Sequence, residues 1–196
     1  MKKSTLSTII VIAVIGMLVA WCVGRYNAMV TMQENVENAW GQVENQYQRR
    51  LDLIPNLVKT VKEAGIREHE NLVDAIEARA KATQMNINAN NLTDENLAAF
   101  QNAQGELSQA LNRLMVVVES YPELKTNQNF LALMDQLEGT ENRITYARNL
   151  FNDSAKEYNA YIRRFPANLI AGMFNFERKP YFKAEEGAEK APSVDF

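Results

Sequence analysis

The chain has 196 residues, with 21 Lys and Arg against 24 Asp and Glu for a net charge of −3, and it contains one Cys and one His. That inventory excludes a disulfide framework, a Cys/His zinc site and a Cys-His catalytic pair within one chain, and its acidic balance argues against a nucleic-acid binder. Eight Gly and five Pro beside 46% hydrophobic residues predict long helices. The fold class expected is all-α: an N-terminal transmembrane helix followed by an elongated antiparallel bundle of about four helices, two long and two shorter.

The first element is apolar. Lys2 and Lys3 precede Leu6 to Val23, 18 residues without a charge, which at about 1.5 Å per residue span roughly 27 Å, close to a bilayer core. A cleaved signal peptide has a shorter apolar region ending in small residues; here Trp21 stands before Cys22, which also argues against lipoprotein processing at that cysteine. Residues 1–24 are therefore read as an uncleaved anchor in the cell (inner) membrane. Lys2 and Lys3 against Arg25, Glu34 and Glu37 place the N-terminus in the cytoplasm and the body outside it. Gly16, Ala20 and Gly24 recur every four residues, a face on which membrane helices self-associate closely.

The body, residues 25–166, follows. Met29, Val36, Trp40, Val43, Tyr47, Leu51, Ile54, Val58 and Val61 form one helical stripe over Tyr26 to about Lys62. Pro55 inside it predicts a kink near Asp52 to Ile54. A second helix is expected over about Arg67 to Met85, with Leu72, Ile76, Ala80 and Thr83 on its apolar side, before an Asn-rich loop. Thr93 reads as the N-cap of a third helix, with Asp94 and Glu95 in its first turn and a stripe of Leu97, Phe100, Gln104, Leu107, Leu111, Leu114, Val118 and Tyr121 ending at Pro122. The fourth runs from about Asn129 to Phe165, with Phe130, Leu137, Ile144, Phe151, Tyr158 and Phe165 seven apart, a heptad pattern for coiled-coil-like packing. The first and last body helices each span 37 residues and are expected to pair antiparallel.

That pairing brings Arg49, Arg50 and Asp52 opposite Glu141, Asn142 and Arg143, where an Arg–carboxylate pair would fix register. The competing reading is a cleft for a charged ligand. Charge reversal at Glu141 is expected to unfold or aggregate the body. His69 lacks the Glu-x-x-His context of a di-metal bundle, since position 66 is Ile, and reads as an exposed or capping residue. No metal, cofactor or catalytic residue is assigned, because no phosphate loop, G-x-S-x-G or H-E-x-x-H motif occurs. In 167–183, Phe174, Phe176, Tyr181 and Phe182 interleave with Arg178 and Lys179, and the antiparallel return delivers them to the bilayer surface or to the open base of the bundle. Residues 184–196 read as a disordered acidic tail.

Several blocks carry a family resemblance: Tyr26-Asn27, Asn38-Ala39-Trp40-x-Gln42-Val43, Arg49-Arg50-x-Asp52-Leu53-Ile54-Pro55-Asn56-Leu57-Val58, Glu77-Ala78-Arg79, Glu119-x-Tyr121-Pro122-x-Leu124-Lys125, Asn127-x-Asn129-Phe130, Thr140-Glu141-Asn142-Arg143-Ile144, Tyr158-Asn159 and Arg164-Phe165-Pro166. In these the chain resembles the LemA family of bacterial membrane-anchored proteins. It departs at Phe174-Asn175-Phe176, where the family usually has Gly between the aromatics, and at Gly65-Ile66. The resemblance implies an N-terminal anchor and long antiparallel helices, no established enzymatic activity, and partners among envelope proteins such as membrane metallopeptidases. The function expected is that of a non-enzymatic structural or scaffolding protein of the bacterial envelope, self-assembling as a homo-oligomer at the bilayer, with no nucleic acid. A lipid- or charged-ligand-binding sensor is the alternative.

Overall fold

The computed structural model describes residues 3–65, 69–85, 87 and 89–183. Six α-helices and no strand occur among them: α1 (Lys3–Glu63), α2 (His69–Gln84), α3 (Asp94–Val118), α4 (Pro122–Lys125), α5 (Gln128–Arg163) and α6 (Ala167–Met173). The acidic tail, and the side chain of His69 at the first residue of α2, lie outside the described residues.

The apolar segment and the first body helix are one element. With no breaker stronger than Gly24 between them, α1 continues for 61 residues from Lys3 to Glu63. Its stretch from Leu6 is long and apolar enough to cross a membrane and is not buried against the rest of the protein.

The body is an up-down-up-down bundle. α5 lies against α1 in the most extensive packing of the fold, and its residue numbers fall as those on α1 rise: Arg25 meets Tyr161, Trp40 meets Phe151 and Arg50 meets Glu141. The second pair, α2 and α3, is antiparallel too, with Asp74 bonded to Arg113 and Lys81 to Glu106. Caps set the boundaries. Thr93 Oγ1 accepts from Asn96 N at 3.1 Å to start α3, and Asn127 Oδ1 accepts from Asn129 N and Phe130 N at 3.0 and 3.2 Å to start α5, satisfying N–H groups that the first turn leaves free. Pro122 does more than end a helix: α3 closes at Val118, and Pro122 takes the first position of α4, where its missing N–H costs nothing.

One stripe is corrected. On α2 the buried face is Leu72, Ala75 and Ala82, whereas Ile76, Ala80 and Thr83 are exposed. Alanines let α2 approach its neighbours closely, and that outweighs burial of the larger Ile76.

The core falls into two parts. The half next to the apolar span is aromatic, with Trp40, Tyr47, Phe100, Phe151, Tyr158 and Phe182. The far half is mainly aliphatic, built around Leu51, Ile54, Leu57, Leu107, Leu114 and Leu137. Between them lie the buried polar residues Arg50, Gln104 and Thr140.

Candidate functional site

Arg50 is 2% exposed although it is a cation. Its Nη1 donates to Glu141 Oε1 at 2.6 Å and Ser108 Oγ at 3.0 Å, and its Nη2 donates to the backbone O of Gln104 at 3.2 Å and to that residue's side-chain Oε1. The guanidinium also lies 5.1 Å from the Tyr47 ring centroid, a cation–π distance. Only Nε is buried without a partner. These bonds tie α1 to α3 and α5 in one layer. The remaining residues of the expected cluster point elsewhere: Arg49, Asn142 and Arg143 are exposed, and Asp52 accepts from Gln48 Nε2 at 2.8 Å on the outer face of α1. Gln104 was visible in the sequence as the one polar residue in the α3 stripe, a position that demands a buried partner.

A second connection was not anticipated. Pro55 lies inside α1 and has no N–H to give the carbonyl of residue 51, four positions back. Arg79 Nε on α2 donates to Leu51 O at 2.8 Å, filling the acceptor that the proline leaves open. Beside this bond lies a groove of about 450 Å³, floored by Ile54, Val58 and Ile76 and edged by Lys59, Lys62, Arg79 and Glu63, with Glu63 3.9 Å from Lys59.

The third feature is the C-terminal segment. Phe174 and Phe176 pack edge-to-face on Tyr26, with centroids 4.9 and 5.6 Å apart, at the level where α1 leaves the apolar span. Asn175 between them has φ 55°, and Phe176 N donates to Ala171 O at 3.0 Å, closing α6 with a left-handed residue. Gly fits that conformation without a Cβ penalty, and Asn is among the few other residues that tolerate it.

Beyond Phe176 the expectation of a membrane-facing strip is corrected for Lys179, Tyr181 and Phe182. Lys179 and Phe182 are buried and Tyr181 is half-buried; Arg178 alone of the four is exposed. The chain turns away from the apolar span and lies extended along the bundle as a strap, held by amides on α5. Asn159 Oδ1 accepts from Lys179 N at 2.9 Å, and its Nδ2 donates to Lys179 O at 2.8 Å and Tyr181 Oη at 2.9 Å. One heptad earlier, Asn152 makes the same pair of bonds with Phe182 N and O, at 2.9 and 3.1 Å. Each asparagine presents a donor and an acceptor to the C=O and N–H of one residue, as a neighbouring antiparallel strand would. Lys179 Nζ donates to Ala89 O at 3.4 Å, and Gln101 on α3 and Arg148 on α5 both donate to Lys183 O. Phe182 stacks on Trp40 with centroids 6.0 Å apart. An aromatic in the core satisfies far more surface than one at a wet interface, which is why the strap turns inward.

Gly16, Ala20 and Gly24 are exposed on α1 with nothing packed against the two glycines. Burial, reinforced by Glu177 and Glu37, pushes the Tyr158 phenol up to about 12. Burial also raises the Glu44 carboxyl, partly offset by the Trp40 indole N–H, which itself donates to Ile87 O at 3.2 Å. Among the described residues no group of three or more His, Cys, Asp or Glu is placed to hold a metal.

This architecture defines a class: an all-α bundle grown directly from a helix long and apolar enough to cross a membrane. The model of the LemA family matches residues 39–196, and the chain belongs to that family. It is similar to the magnetosome protein MamQ of Magnetospirillum gryphiswaldense, 30% identical over 187 residues that cover 87% of this chain and 68% of the relative. It is also similar to magnetosome protein MamQ 2 of Paramagnetospirillum magneticum, at 28% over 212 residues, 98% of this chain and 77% of the relative. Protein LemA of Metamycoplasma hominis is 22% identical over 175 residues, 89% of this chain and 76% of the relative.

Proposed function

We propose that the chain is a single-pass membrane protein of the bacterial envelope with a non-enzymatic scaffolding role, assembling with itself and presenting its bundle to other envelope proteins. The observation that carries this reading is the unbroken α1, Lys3–Glu63. A flexible linker would leave the body free to reorient, whereas a continuous helix fixes the body rigidly to the span. The polar layer supports the same reading, because both Arg50 Nη groups are spent on Glu141, Ser108 and Gln104, and the Nε left without a partner is buried. The face of Gly16, Ala20 and Gly24 is the self-association surface in the membrane, and the body lies on the extracytoplasmic side by the Lys2 and Lys3 bias.

Full-length protein purified in detergent is expected to scatter light as an oligomer, and cysteine crosslinking along the Gly16 face is expected to trap dimers in cells. A strictly monomeric protein with no crosslinked neighbour would overturn the proposal. With Cys22 replaced by Ser, a cysteine at exposed Tyr146 is expected to react with a membrane-impermeant reagent in intact cells, and failure to label would reverse the topology. The second reading, a sensor of charged or lipidic ligands, has its best support in the groove beside Pro55, where Lys59, Lys62 and Arg79 outnumber Glu63, away from Arg49, Arg50 and Glu141. A ligand-dependent rise in melting temperature, abolished by Lys59→Glu, would favour it.

A further inference from the structure

The corner between α5 and α6 exposes large apolar side chains that the fold does not cover. Phe165 is 81% and Met173 76% exposed, and Leu169 and Phe174 are more than half exposed. Leu169 and Met173, four apart, lie on the side of α6 opposite the buried Ala167, Ile170 and Ala171, and Phe165 stands just ahead of α6 in the turn after α5. A monomeric soluble protein seldom groups exposed apolar side chains in this way.

Their place in the fold says what covers them. Arg25, at the end of the apolar span, donates to Tyr161 Oη at 3.2 Å. Because α5 is antiparallel to α1, the residues after Tyr161 continue toward the membrane side of Arg25. Phe165 lies two residues beyond the end of α5, in the turn at that end of the bundle, and α6, which follows, packs against α1. Phe174 touches Tyr26 from the same end. Arg163 and Arg164 are exposed at the end of α5, and beyond α6 Arg178 is exposed beside the exposed Glu177, so the edge carries three cations to one anion. On α1, the Arg25 guanidinium lies 5.5 Å from the Trp21 ring centroid, and Trp and Arg together are the usual residues of a membrane–water boundary.

We infer that this corner is a second membrane contact. Phe165, Leu169 and Met173 insert into the headgroup–acyl boundary beside the span, while Arg163, Arg164 and Arg178 meet anionic lipid phosphates. The bundle is then held at two points, with α1 crossing the bilayer and the α5–α6 corner seated on it, so that the body cannot swivel about the span. The inference rests on the span crossing a membrane, and it replaces the buried strap residues as the lipid-facing surface.

The test uses the full chain in vesicles of phosphatidylcholine with phosphatidylglycerol. Cys22 is replaced by Ser and single cysteines at 14, 146, 165, 168, 169 or 173 carry an environment-sensitive fluorophore. Nitroxide lipids labelled near the headgroup are expected to quench positions 165, 168, 169 and 173 and to leave position 146, on the exposed side of α5, unquenched. Position 14, at the middle of the span, reports insertion through quenching by lipids labelled deep in the acyl chain, so absence of that quenching would mean failure of the anchor reading, whereas acyl-chain quenching at 14 without headgroup quenching at 165–173 would overturn the second contact. Protection of 165–173 from a water-soluble quencher without lipid quenching would also overturn it and indicate a protein partner. Replacing Phe165, Leu169 and Met173 together by Ser should abolish lipid quenching at 168 with the melting temperature unchanged, because these side chains are already exposed; undiminished quenching would reject the role of the apolar face. Arg163→Gln with Arg164→Gln should lower the docked-to-undocked ratio by about fivefold per arginine, and only in vesicles containing the anionic lipid.

Discussion

Arg50 and Glu141 form an unequal pair, and the inequality decides what their substitution does. Arg50 is 2% exposed whereas the Glu141 side chain is 50% exposed, so Glu141 can return to water when its partner is lost and Gln104 cannot. Arg50→Ala leaves the buried Gln104 amide unpaired and a void against Tyr47, and is expected to cost about 3 kcal/mol or more. Glu141→Gln should cost about 1 kcal/mol, because the guanidinium keeps Ser108 and Gln104. Chemical denaturation of both variants checks the ratio, and equal losses would refute the asymmetry. The geometry thus moves the expected sensitivity from Glu141, where the sequence pointed, to Arg50. Tyr158 makes a second prediction at this scale. An unfolded tyrosine ionises near 10, while folded Tyr158 holds its proton to about 12. Between these values the unfolded chain binds fewer protons than the folded one, so stability falls as pH rises through the window, by at most about 2.7 kcal/mol. Below pH 10 this group contributes no pH dependence. Tyr158→Phe should flatten the melting temperature against pH between 10 and 12, and an unchanged slope would remove Tyr158 as its cause.

The elements were legible to the extent that they rest on apolar period and caps. The α1, α3 and α5 stripes, the Thr93 cap and the antiparallel return all follow from spacing along one chain. The strap was not legible, because Phe174 to Phe182 carry the same aromatic-basic composition whether they face lipid or a core. What decides it is Asn152 and Asn159, seven apart beside Phe151 and Tyr158, and nothing in a sequence says that two asparagines bracket a distant peptide. Asn159→Ala would leave the Lys179 N–H and C=O buried and unpaired, at an expected cost of about 2 to 4 kcal/mol. The amides of Lys179 and Phe182 should then exchange hydrogen far faster than in the parent, and retained protection at both would show that the strap is held by Phe182 alone. The α2 face was misread for a related reason, since Ala75 and Ala82 carry little hydropathy yet permit close packing. The Pro55–Arg79 contact is a coupling between elements and is best read by a double-mutant cycle. Pro55→Ala returns a helical donor to Leu51 O, so Arg79→Ala should cost about 1 to 2 kcal/mol in the parent and distinctly less in the Pro55→Ala background. Additive losses would mean that the two residues do not share that acceptor.

At the scale of the molecule, the polar layer divides the bundle into halves that are secured differently. The half beside the apolar span has the aromatic core, α6 and the strap, whose bonds reach α3 and α5 together. The far half has an aliphatic core, the short α4, and α2 packed through alanines, and its α1 segment lacks one backbone N–H at Pro55. Arg50, Gln104 and Thr140 between them contribute little hydrophobic continuity, because a layer satisfied by hydrogen bonds adds specificity of register more than burial. A four-residue slip of α5 along α1 would set Leu137 or Thr145 in place of Glu141 against the buried Arg50, so the layer resists that slip while permitting the halves to open separately. Local opening free energies differ where contact density and bonding differ. Hydrogen exchange of the full chain is therefore expected to proceed in two stages. Amides of α2, the C-terminal half of α3 and the first turns of α5 should exchange together at lower denaturant, while those around Trp40, Phe100, Phe151 and the strap persist to global unfolding. Arg50→Met should narrow the gap between the stages, because an apolar side chain joins the two cores into one. A single exchange front shared by both halves in the parent would show that the polar layer transmits cooperativity as well as an apolar core does.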